Sequence, residues 1–470
     1  MRNKKPINIS LLILIVFTCF LSPDSSRSEE SFSSISEENK VPVSFVALVA
    51  SPDEDKEEAL KFISKNWEPS FTPMMIEAIY LSDNPYLSDN PAFKAKMVKL
   101  LEEKTGQKYR YELDKWYEWI WNQKEQAHPQ YPEFKSLLYG LIDPKFTGYF
   151  SSDRTSKIRL DEVRWGGVRQ DGIPPLRNPK MISVKEAKYL DDSNIVFGLE
   201  VNGDARAYPK RIMAWHEMFV DTVGDEPVVG VYCTLCGSMI LYKTEHNGVN
   251  HQIGTSGFLY RSNKLMYDQK TQSLWNTLWG RPVIGPLADK DIELERMSVV
   301  TTTWSEWKKR HPDTKVLSLD TGHKRDYSEG AAYRDYFATD ELIFNVPKLD
   351  KRLNNKDEVL GLIFSQNPNK PLAINVNYLA ENPLYHKNVG DLNFVVLTDK
   401  SGAARVYQSK GVNFKEWDQK GSVTDVNGTE WTLHESKLVS AEGKELYRIP
   451  AHRAFWFGWY SAYSNTELIL

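Results

Sequence analysis

Cysteine is scarce in this chain, with three residues among 470, at positions 19, 233 and 236. The last two form the only Cys-x-x-Cys pair, so a tetrahedral zinc site would find just two of its four ligands there. No Cys-x-x-Cys-His occurs, which leaves covalent c-type haem without support, and nothing indicates a nucleotide cofactor. The chain also lacks a charge excess. Lys and Arg number 59 against 63 Asp and Glu, a formal net charge of -4, which gives no electrostatic reason to expect a nucleic-acid partner. Ser256 is not framed as Gly-x-Ser-x-Gly, so a hydrolase nucleophile elbow is absent. Past the first few dozen residues, no segment approaches the ~20 apolar residues that a membrane-spanning helix needs.

At the N-terminus, Arg2, Lys4 and Lys5 precede an apolar run from Ile7 to Leu21, followed by Pro23 and a Ser-rich stretch to Ser28. The run is short for a span, and the pattern reads as a signal peptide over residues 1–28. The expected location is therefore exported, periplasmic or envelope-attached. Cys19 sits where a lipobox cysteine would, and lipidation there would add a lipid anchor. The residues before it, Val16, Phe17 and Thr18, fit that pattern poorly, and plain cleavage is the alternative. No transmembrane span is expected after processing. Residues 29–40, rich in Ser and Glu, read as a linker.

The remaining length suits two or three domains, and 41% hydrophobic with 26% charged content is ordinary for a globular protein. The 14 tryptophans read first as core packing. Residues 41–150 form a helical domain. Apolar residues recur at three- and four-residue spacing in Glu57–Trp67, Thr72–Leu81, Ala92–Thr105 and Glu112–Gln123, and Pro69, Pro73, Pro85 and Pro91 punctuate them. Paired short helices of this kind suggest a HEAT-like layer, with a plain bundle as the alternative. A Gly- and Pro-rich bridge, Arg164–Pro179, offers Arg169 and Asp171 as candidates, either for function or for a turn and its cap.

From Asn194 the pattern turns β-rich, with a hairpin about Asn202-Gly203 and strands at Val228–Tyr232 and Ser238–Tyr242. The expected fold class is therefore α+β, a helical layer followed by a mainly β domain. That domain repeats itself. VFGLEVNG (196–203) matches VLGLIFSQ (359–366), and Val223-Gly224-Asp225 recurs as Val389-Gly390-Asp391. Residues 294–317 lie without a gap on 446–469, so Trp304 and Trp307 fall on Trp456 and Trp459, and Thr314 on Thr466. The reading is two β-rich modules, 160–330 and 331–470, packed about a pseudo-twofold axis. Cys233 falls on Asp399 and His216 on Asn382, so the second copy lacks the thiols. The cysteines are then not needed for the module to fold, which favours a functional role in the first.

The central motif is VYCTLCGSMILY, two thiols and a glycine in a turn between apolar strands. With His216 they suggest a soft-metal site for Cu or Zn, which Glu217, Asp221, Met239, His246 or His251 could complete. The alternatives are a thiol–disulfide redox pair and an inert disulfide, the latter leaving a non-enzymatic envelope binding or scaffold protein. The motif GTSGFLYRSNKLMYDQKTQSLW (254–275) places Ser256, Tyr260, Arg261, Ser262, Asn263 and Asp268 as pocket candidates, with a turn capped by Asp268 as the plainer reading. In the second copy, His452 and Arg453 could face the first module's site across the pseudo-axis.

The ordered motifs DGIPPLRNP, NGDARAYPKRIMAWHEMFVDTVG, VYCTLCG, SGFLYRSNKLMYDQKTQSLW and TTTWSEWKKRHPDT resemble the bacterial and archaeal family called domain of unknown function 3179. The resemblance spans about residues 160–470. Its usual form has proline at the position of Thr234 and asparagine at that of Val220. It draws attention to His216, Cys233 and Cys236 without implying a reaction.

Overall fold

The structure is a computed structural model that describes residues 35–84, 87, 90–124, 127–364 and 367–470. The proposed signal segment 1–28, Cys19 and the start of the linker lie outside the described residues. The chain divides into two compact units, Met1–Arg154 and Thr155–Leu470.

The first unit is helical: α1 (Lys40–Ala50), α2 (Asp53–Lys65), α3 (Thr72–Leu81), α4 (Pro91–Thr105), α5 (Leu113–Trp121) and α6 (Tyr131–Gly140). Proline at the first turn of α3, α4 and α6 starts each helix at no hydrogen-bonding cost. Asn90 caps α4 by accepting from Phe93 N, and Gly106 closes it in the left-handed conformation. Periodicity located α3 and α4 closely. It passed over α1 and α6, whose faces are buried nearly all round, so the apolar stripe that periodicity looks for is blurred. At the centre, the buried Lys135 ammonium lies 2.6 Å from Glu77 Oε1, and Tyr131 and Tyr139 donate to the same carboxylate. Trp116 and Trp121 are buried in this unit's core, while Trp119 packs edge-on to Trp116.

The second unit is mainly β. Its first part runs β1 (Ile195–Val201), β2 (Asp204–Pro209), α7 (Lys210–His216), β3 (Met218–Val223), β4 (Glu226–Cys233), β5 (Ser238–Lys243), β6 (Ile253–Tyr260), β7 (Asn263–Asp268), β8 (Val300–Thr303), α8 (Trp304–Arg310) and β9 (Lys315–Leu317). The expected hairpin is β1–β2, turning through Asn202 and Gly203, both at positive φ. After a largely irregular stretch come β10 (Glu358–Phe364), β11 (Asn367–Asn375), α9 (Val376–Glu381), β12 (Leu384–Val389), β13 (Leu392–Thr398), β14 (Ala404–Gln408), β15 (Ala451–Phe455), α10 (Trp456–Ala462) and β16 (Glu467–Ile469).

Two sheets have the same strand order and directions, β8-β1-β2-β9 and β15-β10-β11-β16, each with an antiparallel hairpin and one parallel neighbour. In the first, Trp307 Nε1 donates to Thr314 Oγ1 at 2.9 Å, and in the second Trp459 Nε1 donates to Thr466 Oγ1 at 3.0 Å. Each of these indoles lies flat on a strand glycine, Gly198 or Gly361. A methyl group at either would stand 2.3 or 2.1 Å from the ring, so only glycine fits. The two parts differ in what interrupts them. Between β5 and β8 the first carries the sheet containing β6 and β7. Between β14 and β15 the second carries a five-stranded antiparallel meander, Phe414–Tyr447.

Candidate functional site: a buried dithiol turn

The edge of β4 and the start of β5 pair at Cys233 and Ser238, leaving Thr234–Gly237 as a four-residue turn. Gly237 takes φ +60°, and a Cβ there would stand 2.9 Å from the Phe455 ring, so the turn needs glycine on two counts. The turn is clamped by β15 and α10. Phe455 N donates to Cys236 O at 2.7 Å, and Gly458 of α10 lies so close that a Cβ would be 3.0 Å from Cys236 Cβ. Cys233, Cys236 and Leu235 share an apolar cluster with Leu259, Phe455, Phe457, Tyr336 and Val346. Tyr336 belongs to the stretch between β9 and β10, and its hydroxyl donates to Leu235 O at 2.7 Å.

Both cysteines are buried as free thiols, Cys233 at 2% and Cys236 at 0% exposure. They are unequal. Burial and the neighbouring Cys233 sulfur push the Cys236 thiol well above its ordinary pKa. Burial also opposes ionisation of Cys233, but hydrogen bonds from Cys236 and from the backbone amides of Lys264 and Cys236 bring it below the usual thiol value. Cys236 Sγ lies 3.4 Å from Ser262 O, to which it can donate, and it accepts from Asn263 Nδ2 at 3.3 Å. Asn263 Oδ1 is buried without a hydrogen-bond partner.

A buried ion pair adjoins the turn. Glu217 ends α7 in the left-handed conformation, φ +55°, and its Oε1 accepts from Thr234 Oγ1 at 2.6 Å and from Tyr333 OH at 3.2 Å. Its Oε2 pairs with Lys264 Nζ of β7. The ammonium is within ion-pair distance but not aligned as a hydrogen bond, and no other partner among the described residues satisfies it. The Glu217 charge raises the cost of a thiolate at Cys233. Thr234, which stands where the resembling family usually has proline, thus contributes a hydroxyl that proline could not.

His216 is placed differently from the expectation. Its Nδ1 lies 2.9 Å from Pro174 O and its Nε2 2.6 Å from Tyr327 OH, with the His323 ring centroid 5.2 Å away. Both ring nitrogens therefore serve partners other than the thiols. Burial holds the imidazole at a pKa of about 4. Among the described residues, no group of three or more His, Cys, Asp and Glu side chains is arranged to hold a metal ion.

Most other sequence candidates serve the architecture. Asp171, at φ +53°, accepts from Thr255 N at 3.0 Å and Tyr267 OH at 2.6 Å, and Arg169 is exposed beside it. Ser256 donates to Leu265 O at 2.6 Å across the β6–β7 pair. Asp268 accepts from Thr271 N at 2.7 Å, as a turn cap does, and from His251 at 3.3 Å. Arg261 stacks on Tyr260 and pairs with Glu162. Asp221 pairs with Arg206 at 2.5 Å, Met239 lies in the core, and His246 sits in a partly exposed hairpin. Arg453 binds Glu358 at 2.9 Å and also Gly402 O, all within the second part. His452 is buried against Trp459 with Nε2 unpartnered. Asp399 directly follows β13 as Cys233 closes β4. Its carboxylate accepts from Ser401 N, Ser401 Oγ and Ala403 N and pairs with Arg405, so this turn is held by an ion pair and hydrogen bonds.

Comparison with known families gives one match. The family described as protein of unknown function (DUF3179) matches residues 170–466. The chain belongs to that family. The DUF3179 region begins in the Gly- and Pro-rich bridge, takes in the dithiol turn and runs through α10, ending just before β16. No curated protein and no solved structure matches the chain.

Sequence reasoning missed Lys264, Tyr333 and Tyr336 in this DUF3179 site. A lysine inside the otherwise apolar or neutral run Asn263–Tyr267, where strand alternation leaves no solvent face, was the one available signal for Lys264. Nothing in the sequence marked the two tyrosines.

Proposed function

We propose that Cys233 and Cys236 form a thiol–disulfide redox centre. The observation that carries this reading is geometric: two free thiols are brought together in one four-residue turn, with Asn263 Nδ2 donating to Cys236 Sγ. Cys233 is the better thiolate and Cys236 is held protonated beside it. In the proposed cycle the Cys233 thiolate attacks a disulfide of the acceptor and expels one of its sulfurs as thiolate. Cys236 then loses its proton and attacks the Cys233 sulfur of the mixed disulfide, releasing the acceptor as a dithiol. The thiolate expelled from the acceptor takes up the Cys236 proton, and the Glu217 charge, beside the turn, opposes ionisation of both sulfurs.

A second reading, a soft-metal centre for Cu or Zn, draws on the turn itself. Backbone amides of Cys236 and Lys264 point at the Cys233 sulfur, as they do for thiolate ligands. His216 is not part of that ligand set, because both its nitrogens are engaged. Thiol titration and elemental analysis of one sample separate the two. The redox reading expects two thiols that interconvert with one intramolecular disulfide at a defined potential. It is overturned if the pair stays reduced under a disulfide buffer that oxidises ordinary dithiols. Stoichiometric metal that blocks oxidation would favour the second reading instead.

We further infer that the two similar sheets are twin modules, 160–330 and 331–470. Their shared strand order and paired Trp–Thr bonds support this. The contacts between them are also reciprocal, β5 meeting β15 and β14 meeting β8, as a pseudo-twofold requires. A HEAT-like layer for residues 41–150, export, and a lipid anchor at Cys19 are proposed on sequence pattern alone.

A further inference from the structure

A cavity of about 550 Å³ opens between α8, the end of β1 and one end of the Phe414–Tyr447 meander, remote in sequence from the dithiol turn. Most of the residues that line it carry polar or charged side chains, Gly421 and Leu433 excepted. Four carboxylates reach it, and each is committed within the protein. Glu306 pairs with Arg310 at 2.9 Å. Glu435 is held by Arg405 at 2.8 Å and by Arg448, which keep it well below the ordinary carboxylate range despite burial. Asp418 accepts from the backbone amides of Lys420, Gly421 and Ser422. Glu200 lies 3.5 Å from His311 Nδ1.

The hydrogen-bond donors on the same wall are not used up. Arg310 Nη2 and His311 Nε2 are buried with no hydrogen bond, their nearest acids standing off at 3.7 and 3.6 Å. Lys309 and Lys420 line the cavity and are exposed, and among the described residues neither they nor the His434 ring makes an ion pair or a side-chain hydrogen bond. Satisfied acids facing unsatisfied donors make a site whose missing component is negative. Buried unpaired donors carry a desolvation cost that an anion would relieve.

We propose that this cavity binds a small multivalent oxyanion, a di- or tricarboxylate or a phosphate compound. Arg310 and His311 contact its inner end, and Lys309 and Lys420 its outer end. The volume suits a metabolite-sized ligand, and the position between the two β-rich parts of the unit is a common one for such sites. The site is independent of the redox reading, since no residue is shared with the dithiol turn.

The test is calorimetric titration of the full chain with citrate, with pyrophosphate and with sucrose as a neutral control. The same titrations are made on Lys309→Ala/Lys420→Ala and on Arg310→Gln. Saturable binding of citrate or of pyrophosphate, but not sucrose, is expected, and whichever binds identifies the carboxylate or the phosphate source. The double variant, altered only at exposed side chains and checked by an unchanged Tm, should weaken binding about fivefold or more, and added salt should do the same. Absence of binding by both anions at ~10 mM would overturn the proposal, as would affinity unchanged in the double variant.

Discussion

Replacing Lys264 by methionine removes the ammonium that neutralises Glu217 and keeps most of the buried volume. Glu217 is 5% exposed, so its carboxylate cannot recover hydration without rearrangement. Breaking one side of a buried pair costs about 3–5 kcal/mol. Two hydrogen bonds to Glu217 survive, from Thr234 and Tyr333, which points to the lower end, about 3 kcal/mol. Adding Glu217→Gln removes the stranded charge, so the double variant should regain about 2 kcal/mol relative to the sum of the single losses. Urea unfolding at neutral pH under reducing conditions, followed by tryptophan fluorescence, measures all four species. A second readout reports on the thiols. With Lys264 gone, the naked Glu217 charge disfavours the Cys233 thiolate, so native-state alkylation should slow. The reasoning fails if Lys264→Met costs less than about 1 kcal/mol, or if the double variant is as unstable as the two single losses added together.

Two further outcomes follow from the geometry. Thr314→Val and Thr466→Val each strand a buried indole N–H, so each should cost about 1–3 kcal/mol, and by similar amounts in the two parts. Thermal or urea unfolding of the two variants side by side checks this, and a large cost at one site with none at the other would contradict the equivalence. His452 is held by burial at a pKa of about 3, below its value in the unfolded chain. The unfolded state therefore binds the extra proton as pH falls below the ordinary histidine value, and stability drops by about 2 kcal/mol by about pH 5 from this residue alone. His452→Leu should flatten that part of the pH profile of the urea midpoint. A profile as steep as the parent's would show that His452 is not the group responsible.

Much of the architecture is legible in the sequence for local reasons. The Asn202-Gly203 turn, the prolines that open α3, α4 and α6, and the glycine after Cys236 each answer to the backbone within a few residues. The repeated Trp and Thr positions could be read because the same long-range contact was encoded twice. Even where the contact was invisible, its recurrence was not. Helices α1 and α6 were passed over, since a helix buried nearly all round has no polar face to set its period.

Sequence alone determined that two thiols and a glycine sit in one turn between apolar strands, and it aligned that turn with one that carries Asp399. Only the tertiary structure decided which groups meet those thiols. Glu217 rather than His216 turns toward the Cys-x-x-Cys turn, because α7 ends with Glu217 at positive φ and so sends adjacent side chains to different surroundings. Lys264 comes from a strand of another sheet, and Tyr333 and Tyr336 from a largely irregular stretch roughly a hundred residues on in the sequence. Spacing along a chain constrains what neighbours can do within a turn or a strand pair, whereas the charge environment of a buried sulfur is set by whatever the folded core brings against it.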